Sequence, residues 1–255
     1  MKSKCAVFTI VKNERIFLPI WIKHYKKYFD ASDIYILDHQ STDGSTENLD
    51  VNVILVENEF AFDHTWFHGT VEKFHIQLLQ KYQAVLFSDG DELVYTVDKP
   101  LNETIDLFLS NEDCKFQTCH GYEIIQDMQR ERSLLDHEEI LPNRNYWYYS
   151  KLYCKTLLSK VPLSWCVGFH ITNPPTHDTT YNLYLCPLHK YDFEQMLKRH
   201  QERKANWKYH SDVVEKGMSW HNAIADRQGI LFLFNLIDDP IIPIPEIHKQ
   251  SLKGI

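Results

Sequence analysis

The sequence predicts an α/β fold, a mostly parallel central sheet flanked by helices, followed by a helical C-terminal extension. Three features predict it. Over the first hundred residues, short apolar runs rich in β-branched side chains alternate with segments of helical period. The order strand, helix, strand, strand, helix, strand calls for right-handed crossovers and largely parallel pairing. From Asp192 to about Lys216 the chain is charged and helical.

The elements follow in order. "CAVFTIV" (5–11) reads as a buried strand. After "KNE", Trp21, Ile22, Tyr25 and Phe29 fall at helical spacing, and Pro19 suits the first turn, where a missing N–H is harmless. "DIYILD" (33–38) is the second strand and "STDGS" the turn that leaves it. "VNVILVE" (51–57) is the third strand. Residues 69–82 form a helix with Val71, Phe74, Leu78 and Leu79 inward, and "AVLFSD" (84–89) is the fourth strand. Asn102 precedes "ETIDLFL" and reads as a helix N-cap, in preference to the glycosylation pattern it also matches. "CKFQTCHGYEII", a polar stretch, an aromatic strand "YWYYSKLYC" and a His-, Pro- and Thr-rich loop from Gly168 to Tyr181 come next. The end, "DDPIIPIPEIHKQSLKGI", has three prolines and reads as an extended tail on the surface.

Composition narrows the function. A formal charge of -8, from 27 basic and 35 acidic residues, argues against a nucleic-acid partner, because phosphate backbones need basic faces. Six cysteines include no C-x-x-C pair, so a zinc ribbon is disfavoured. With no recognisable signal peptide, they read as reduced thiols of a cytoplasmic protein. No apolar run approaches the roughly 20 residues of a membrane helix.

Chemistry concentrates at strand ends. In an open parallel sheet, the loops after the strands line the ligand crevice. "KNE", "DHQSTDGS" and "SDGDE" occupy three such loops. Asp89, Asp91 and Glu92 repel one another unless a cation or solvent relieves them. The glycine between the aspartates lets both face one point, and hard oxygen ligands suit Mg²⁺ or Mn²⁺. A lone D-x-D is more often a solvated acidic turn closing a strand; its place at a strand end beside two other polar loops reverses the preference and favours a site.

"VKNERIFLPIWIKHYKKYFDASDIYILDHQSTDGS" followed by "VLFSDGDELV" resembles the family-2-like GT-A glycosyltransferases, and among them the branch related to family 92 (DUF23). The resemblance covers about the first hundred residues. His39, Gln40, Pro19 and Leu93 depart from the family pattern, and none of these departures removes a carboxylate. It implies a GT-A, Rossmann-like catalytic domain over 1–190, with a nucleotide-sugar-binding half (1–100) and an acceptor half (101–190), then an extension over 191–255. It also implies donor contacts from Asn13, Glu14, Asp38, Ser41, Asp43, Asp89 and Glu92. Asp89 and Asp91 would hold Mn²⁺ or Mg²⁺, with His189 as third ligand and His170 or His177 in competition with it.

The activity so implied is metal-dependent transfer of a sugar from a nucleotide-sugar donor, UDP-linked, to a glycan or glycolipid acceptor with inversion. Inversion needs a general base, for which Asp178 and Glu123 are the candidates. Trp147, Tyr148, Tyr149 and Trp165 are candidates for sugar stacking, although sheet packing accounts for most such aromatics. Lys198, Arg199, Arg203, Lys204 and Lys208, with Trp207, form either a solvated helix face or a peripheral contact with an anionic membrane. The rival readings are an inactive glycan-binding or scaffold protein on the same fold, which predicts a broken D-x-D, and a nucleotidyltransferase. The latter expects a glycine-rich phosphate loop after the first strand, which "VKNERIF" lacks.

Overall fold

The computed structural model describes residues 3–58, 63–136, 138–206 and 220–255. It is a mixed α/β fold built on two sheets. The first runs β3 (Asn52–Leu55), β2 (Ile34–Asp38), β1 (Ser3–Val11), β4 (Tyr82–Phe87), β9 (Thr156–Ser159), β6 (Phe116–Thr118). The pairings among β3, β2, β1 and β4 are parallel, and β9 pairs antiparallel with both β4 and β6. Helices flank this sheet: α1 (Phe17–Tyr25), α2 (His64–Lys81) and α3 (Leu101–Ser110). Ala6, Val7 and Phe8 are completely buried, which explains why β1 reads as a continuous apolar run rather than an alternation.

The second sheet is mixed, in the order β11 (Ile242–Pro243), β8 (Tyr146–Tyr149), β7 (His120–Ile125), β10 (Tyr184–Pro187), β5 (Glu92–Tyr95). Among the described strands the chain crosses between the two sheets five times, and two of the crossings are short: Ser88–Asp91 between β4 and β5, and Cys119 between β6 and β7. "SDGDE" is therefore the hinge between two sheets, held at both ends by strands. Three further α-helices follow, α4 (Phe193–Asn206), α5 (Arg227–Phe234) and α6 (Glu246–Ser251). Phe193, Met196 and Leu197 of α4 and Ile230, Leu233 and Phe234 of α5 bury against Ile125 and Tyr148 of the second sheet.

Several expectations change. Asn102 is not the cap of α3: Pro100 stands at the N-cap, and Asn102 is an exposed residue of the helix. "YWYYSKLYC" is a strand only to Tyr149, after which Lys151–Tyr153 turns away in a 3₁₀ helix. The C-terminal segment is not a surface tail. β11 pairs with β8, His248 on α6 accepts or donates a 2.7 Å hydrogen bond with Tyr95, and Leu252 and Ile255 are buried. Prolines at edge and cap positions made this segment look unstructured. Trp147, Tyr148 and Trp165 are buried in the packing of the sheets. All six cysteines are free thiols. No helix among the described residues is long and apolar enough to cross a membrane. Trp207 and Lys208 of the basic segment, and the predicted helix beyond Asn206, lie outside the described residues.

Candidate active site

The parallel half of the first sheet reverses its order at β1. From β1 the chain runs to β2 and β3 on one side and then to β4 on the other. Such a switch point leaves a crevice beyond the carboxyl ends of the two central strands. A cleft of about 730 Å³ opens there, lined by residues that include Asn13, Glu14, Asp43, Asp89, Asp91, Glu92, His170 and His189.

The loop after β1 turns at Asn13, whose φ of 57° is a left-handed conformation that asparagine tolerates. Its N–H donates to Ser41 Oγ at 3.0 Å, and its side-chain oxygen accepts the Thr42 N–H at 2.7 Å. Asn13 thus ties the first loop to the second. Asp38, at the end of β2, accepts the Ser41 N–H at 2.8 Å and the Thr46 hydroxyl at 2.9 Å. Asp38 and Ser41 are not among the cleft-lining residues; they brace the loop that presents Thr42 and Asp43. Asp43 is exposed and accepts from the Ser45 N–H and hydroxyl at 3.0 and 2.6 Å.

The "SDGDE" hinge is fixed from below and above. Ser88 Oγ accepts from Trp21 Nε1 at 2.9 Å and shares a hydrogen bond with the Tyr25 hydroxyl at 2.9 Å. The Glu92 N–H closes on the Asp89 carbonyl at 3.0 Å, and the Leu188 N–H donates to the Asp91 carbonyl at 2.9 Å. Glycine at position 90 relieves a tight approach: a Cβ there would lie 3.0 Å from Val11 Cγ1.

The repulsion among these carboxylates is relieved by side-chain cations. Lys155, just before β9, is buried and donates to Asp89 at 3.0 Å and to Glu92 at 2.6 Å. Arg199, from α4, binds Asp91 through one terminal nitrogen and Glu14 through the other, the latter at 2.6 Å. Arg203, one turn on, approaches Glu14 at 3.5 Å. The Arg199 guanidinium also lies over the Phe17 ring, 4.6 Å from its centroid.

Titration follows from this wiring. Burial alone would push the Asp91 carboxyl up, but the Arg199 and Arg203 guanidinia outweigh it and hold Asp91 well below the carboxylate range. Burial, with Asp89 and Asp91 adding to it against the opposing pull of Lys155, pushes Glu92 up to about 8. Among the described residues, Glu92 Oε2 has no hydrogen-bond partner. Burial works against the Lys155 ammonium, and the Glu92 and Asp89 carboxylates more than restore it. His189 is held well below its ordinary value by burial, then by Arg199 and His200.

The expected metal donors do not form a set. Asp91 is engaged by Arg199, Asp89 by Lys155, and His189 Nε2 faces His200 Nε2 at 3.4 Å. Among the described residues, no three His, Cys, Asp or Glu side chains converge as ligands. His170 lines the cleft, but its Nδ1 is hydrogen-bonded to the Leu152 carbonyl at 2.6 Å, and burial pushes it down to about 4. His177 does not line it.

Neither expected base lines the cleft. Glu123 is buried in β7, where it accepts from the Tyr148 hydroxyl, with Lys190 Nζ 4.0 Å away; burial outweighs Lys190 and lifts it to about 7. Asp178 is tied into its own loop, accepting from the Thr180 N–H at 2.9 Å, the Thr180 hydroxyl at 2.7 Å and the Cys114 thiol at 3.4 Å. Sequence reasoning missed Lys155, Arg199 and Arg203 as cleft residues. Their signal was indirect: an acidic cluster needs counter-charge, and Arg199 and Arg203 share a helix face at a spacing of four.

No protein-family model and no curated protein matches the sequence. Solved structures similar to this chain include a mannosyltransferase from Pyrobaculum calidifontis in complex with GDP-Man and Mn²⁺, at 16% identity and a TM-score of 0.32. That match covers 47% of this chain and 36% of the mannosyltransferase, so this chain spans about a third of its length. TarS 1–349 from S. aureus matches at 13% identity and a TM-score of 0.38, over 91% of this chain and 82% of TarS. A UDP-glucose pyrophosphorylase complexed with UDP-glucose matches at 12% identity and 0.31, over 92% and 98%. These scores leave the functional reading to the residues of the cleft.

Proposed function

We propose that the protein is a GT-A-type glycosyltransferase that moves a sugar from a nucleotide-sugar donor, uridine-linked in this reading, to a glycan or glycolipid acceptor with inversion. The observation that carries it is the convergence of "KNE" and "SDGDE" at the β1–β4 switch point, in a cleft of about 730 Å³. That volume falls within the roughly 300–1,000 Å³ of ordinary small-molecule sites. The nucleoside would lie against the Asn13–Glu14 and Thr42–Asp43 loops, with Asp38 and Ser41 acting through the loop they brace. The diphosphate would lie toward Asp89, Asp91 and the cations beside them.

Transfer with inversion is a single displacement: the acceptor oxygen attacks the anomeric carbon as the diphosphate leaves, and a base takes the hydroxyl proton. The base must come within about 2.6–3.2 Å of that hydroxyl. Asp178 and Glu123 stand off the cleft, so we place the base among the cleft carboxylates. Glu202 on α4, exposed and 3.3 Å from Arg15, is the candidate on the open side.

The nucleotidyltransferase reading draws less support. Asn13, at the turn after β1, spends its N–H on Ser41 and its side chain on Thr42, which leaves no glycine-rich cradle for phosphate. The deciding experiment incubates the purified protein with a panel of nucleotide sugars and measures released nucleoside diphosphate, with calorimetric binding of UDP, GDP and ADP alongside. Release from at least one donor is expected. Binding of a diphosphate without turnover of any donor would favour the inactive scaffold, and no binding at all would sink the reading.

A further inference from the structure

We propose that side-chain cations, Lys155 and Arg199 with Arg203 beside them, do at the donor diphosphate the work expected of a divalent ion; the inference rests on the nucleotide-sugar reading above. A metal at such a site neutralises the leaving diphosphate and orients its oxygens. An ammonium and a guanidinium can do both, and the planar guanidinium can grip a phosphate with two parallel hydrogen bonds. All three side chains line the cleft.

The wiring assigns the aspartates to positioning. Asp89 and Glu92 together aim the buried Lys155 ammonium, and Asp91 and Glu14 together aim Arg199, which Phe17 backs from one face. The cations come from outside the acidic loop, from the approach to β9 and from α4, so they are carried by two elements that the loop itself does not control. An ion that took Asp89 and Asp91 as ligands would compete with the Lys155 and Arg199 ion pairs for the same two carboxylates, and each cation it displaced would keep one carboxylate partner in place of two, Glu92 or Glu14. A diphosphate needs no such exchange. Lys155 uses two of its three N–H groups on Asp89 and Glu92, and each terminal nitrogen of Arg199 carries a second N–H besides the one that meets Asp91 or Glu14. Both cations keep donor capacity while remaining in place.

Asp91 separates the two chemistries. As a metal ligand, its carboxylate is indispensable; as a positioning group, it only restrains a cation that an isosteric amide would release. The test is calorimetric binding of UDP, with GDP and ADP as further probes, to the whole chain in EDTA and in Mn²⁺. The same titrations are run on Asp91→Asn, Arg199→Ala and Arg199→Lys, with thermal melts to confirm folding. The proposal expects the UDP affinity of the parent in EDTA to lie within about threefold of that in Mn²⁺. Asp91→Asn should bind in EDTA within about threefold of the parent, because Glu14 still holds Arg199, whereas Arg199→Ala should bind about tenfold or more weakly and Arg199→Lys in between. Binding that appears only with Mn²⁺, or that Asp91→Asn abolishes in a folded protein, overturns the cation proposal and leaves the transferase reading standing. No diphosphate binding under any condition overturns both. The EDTA and Mn²⁺ comparison on the parent decides the matter alone should a variant fail to fold.

Discussion

Replacing Ser88 with alanine tests the support beneath the acidic hinge. Ser88 is fully buried, and its hydroxyl is the meeting point of Trp21 Nε1 and the Tyr25 hydroxyl, each at 2.9 Å. Tyr25 in turn accepts the Val94 N–H at 2.9 Å, so the network spans α1, the end of β4 and β5. Without the serine oxygen, the indole N–H loses its acceptor and the Tyr25 hydroxyl loses its second partner. A buried donor left unsatisfied costs about 1–3 kcal/mol. With the Tyr25 oxygen still serving Val94, a loss of about 2–4 kcal/mol is expected for Ser88→Ala, a large fraction of the stability of an ordinary domain. The assay is equilibrium urea unfolding of the parent, Ser88→Ala, Trp21→Phe and the double variant. Trp21→Phe removes the same indole donor, so the two changes should be non-additive by about 1–2 kcal/mol in the double-mutant cycle. A Ser88→Ala loss below about 0.5 kcal/mol, or strict additivity in the cycle, would refute the network as the support of the hinge.

Other consequences are as specific. Burial pushes His24 down to about 4 from an ordinary 6.5, so it folds neutral. The unfolded chain then binds the extra proton between pH 6.5 and about 4, and the stability this histidine contributes is complete above pH 6.5 and lost on acidification through that window. His24→Gln should therefore flatten the acid limb of stability by about 1.4 kcal/mol per pH unit, and an unchanged slope in pH-dependent urea melts would contradict this. Asp192 caps the start of α4 through the Gln195 N–H at 3.1 Å and neutralises the fully buried Arg144 at 2.8 Å. Asp192→Ala should cost about 3–5 kcal/mol and, because α4 carries Arg199, weaken nucleotide binding as well; unfolding and calorimetry on the same preparation check both. Asp178→Asn should transfer sugar at near the parent rate at saturating donor, whereas Glu202→Gln should lose about 10²–10⁴ in rate. The reverse ranking in a transfer assay would return the base to Asp178.

The local signals in the first hundred residues were strong enough to be read without the fold. β1 and β4 announce themselves by apolar runs that strands covered on both faces require, β2 and the half-exposed edge strand β3 by their β-branched residues, and α1 and α2 by inward residues three and four apart. Those elements put "KNE" and "SDGDE" at strand ends, and parallel pairing then placed both at one edge. Sequence also carried Gly90, although for closeness to Val11 rather than for an unusual turn. Of the second sheet the aromatic strand β8 was legible, but the pairing was not, because the strands are short and their partners distant: β5 pairs with β10, and β11 with β8, so neither β5 nor β11 has a local period or turn to mark it. The charge balance of the cleft was equally out of reach. Asp89 meets Lys155 across 66 positions and Asp91 meets Arg199 across 108, and at such separations only the packing of α4 and β9 decides which cation arrives. Glu123 and Asp178 show the same limit from the other side. A carboxylate's residue type and neighbours reveal that it is chemically capable, but only tertiary burial and hydrogen bonding decide whether its oxygens face the cleft or are spent within the fold.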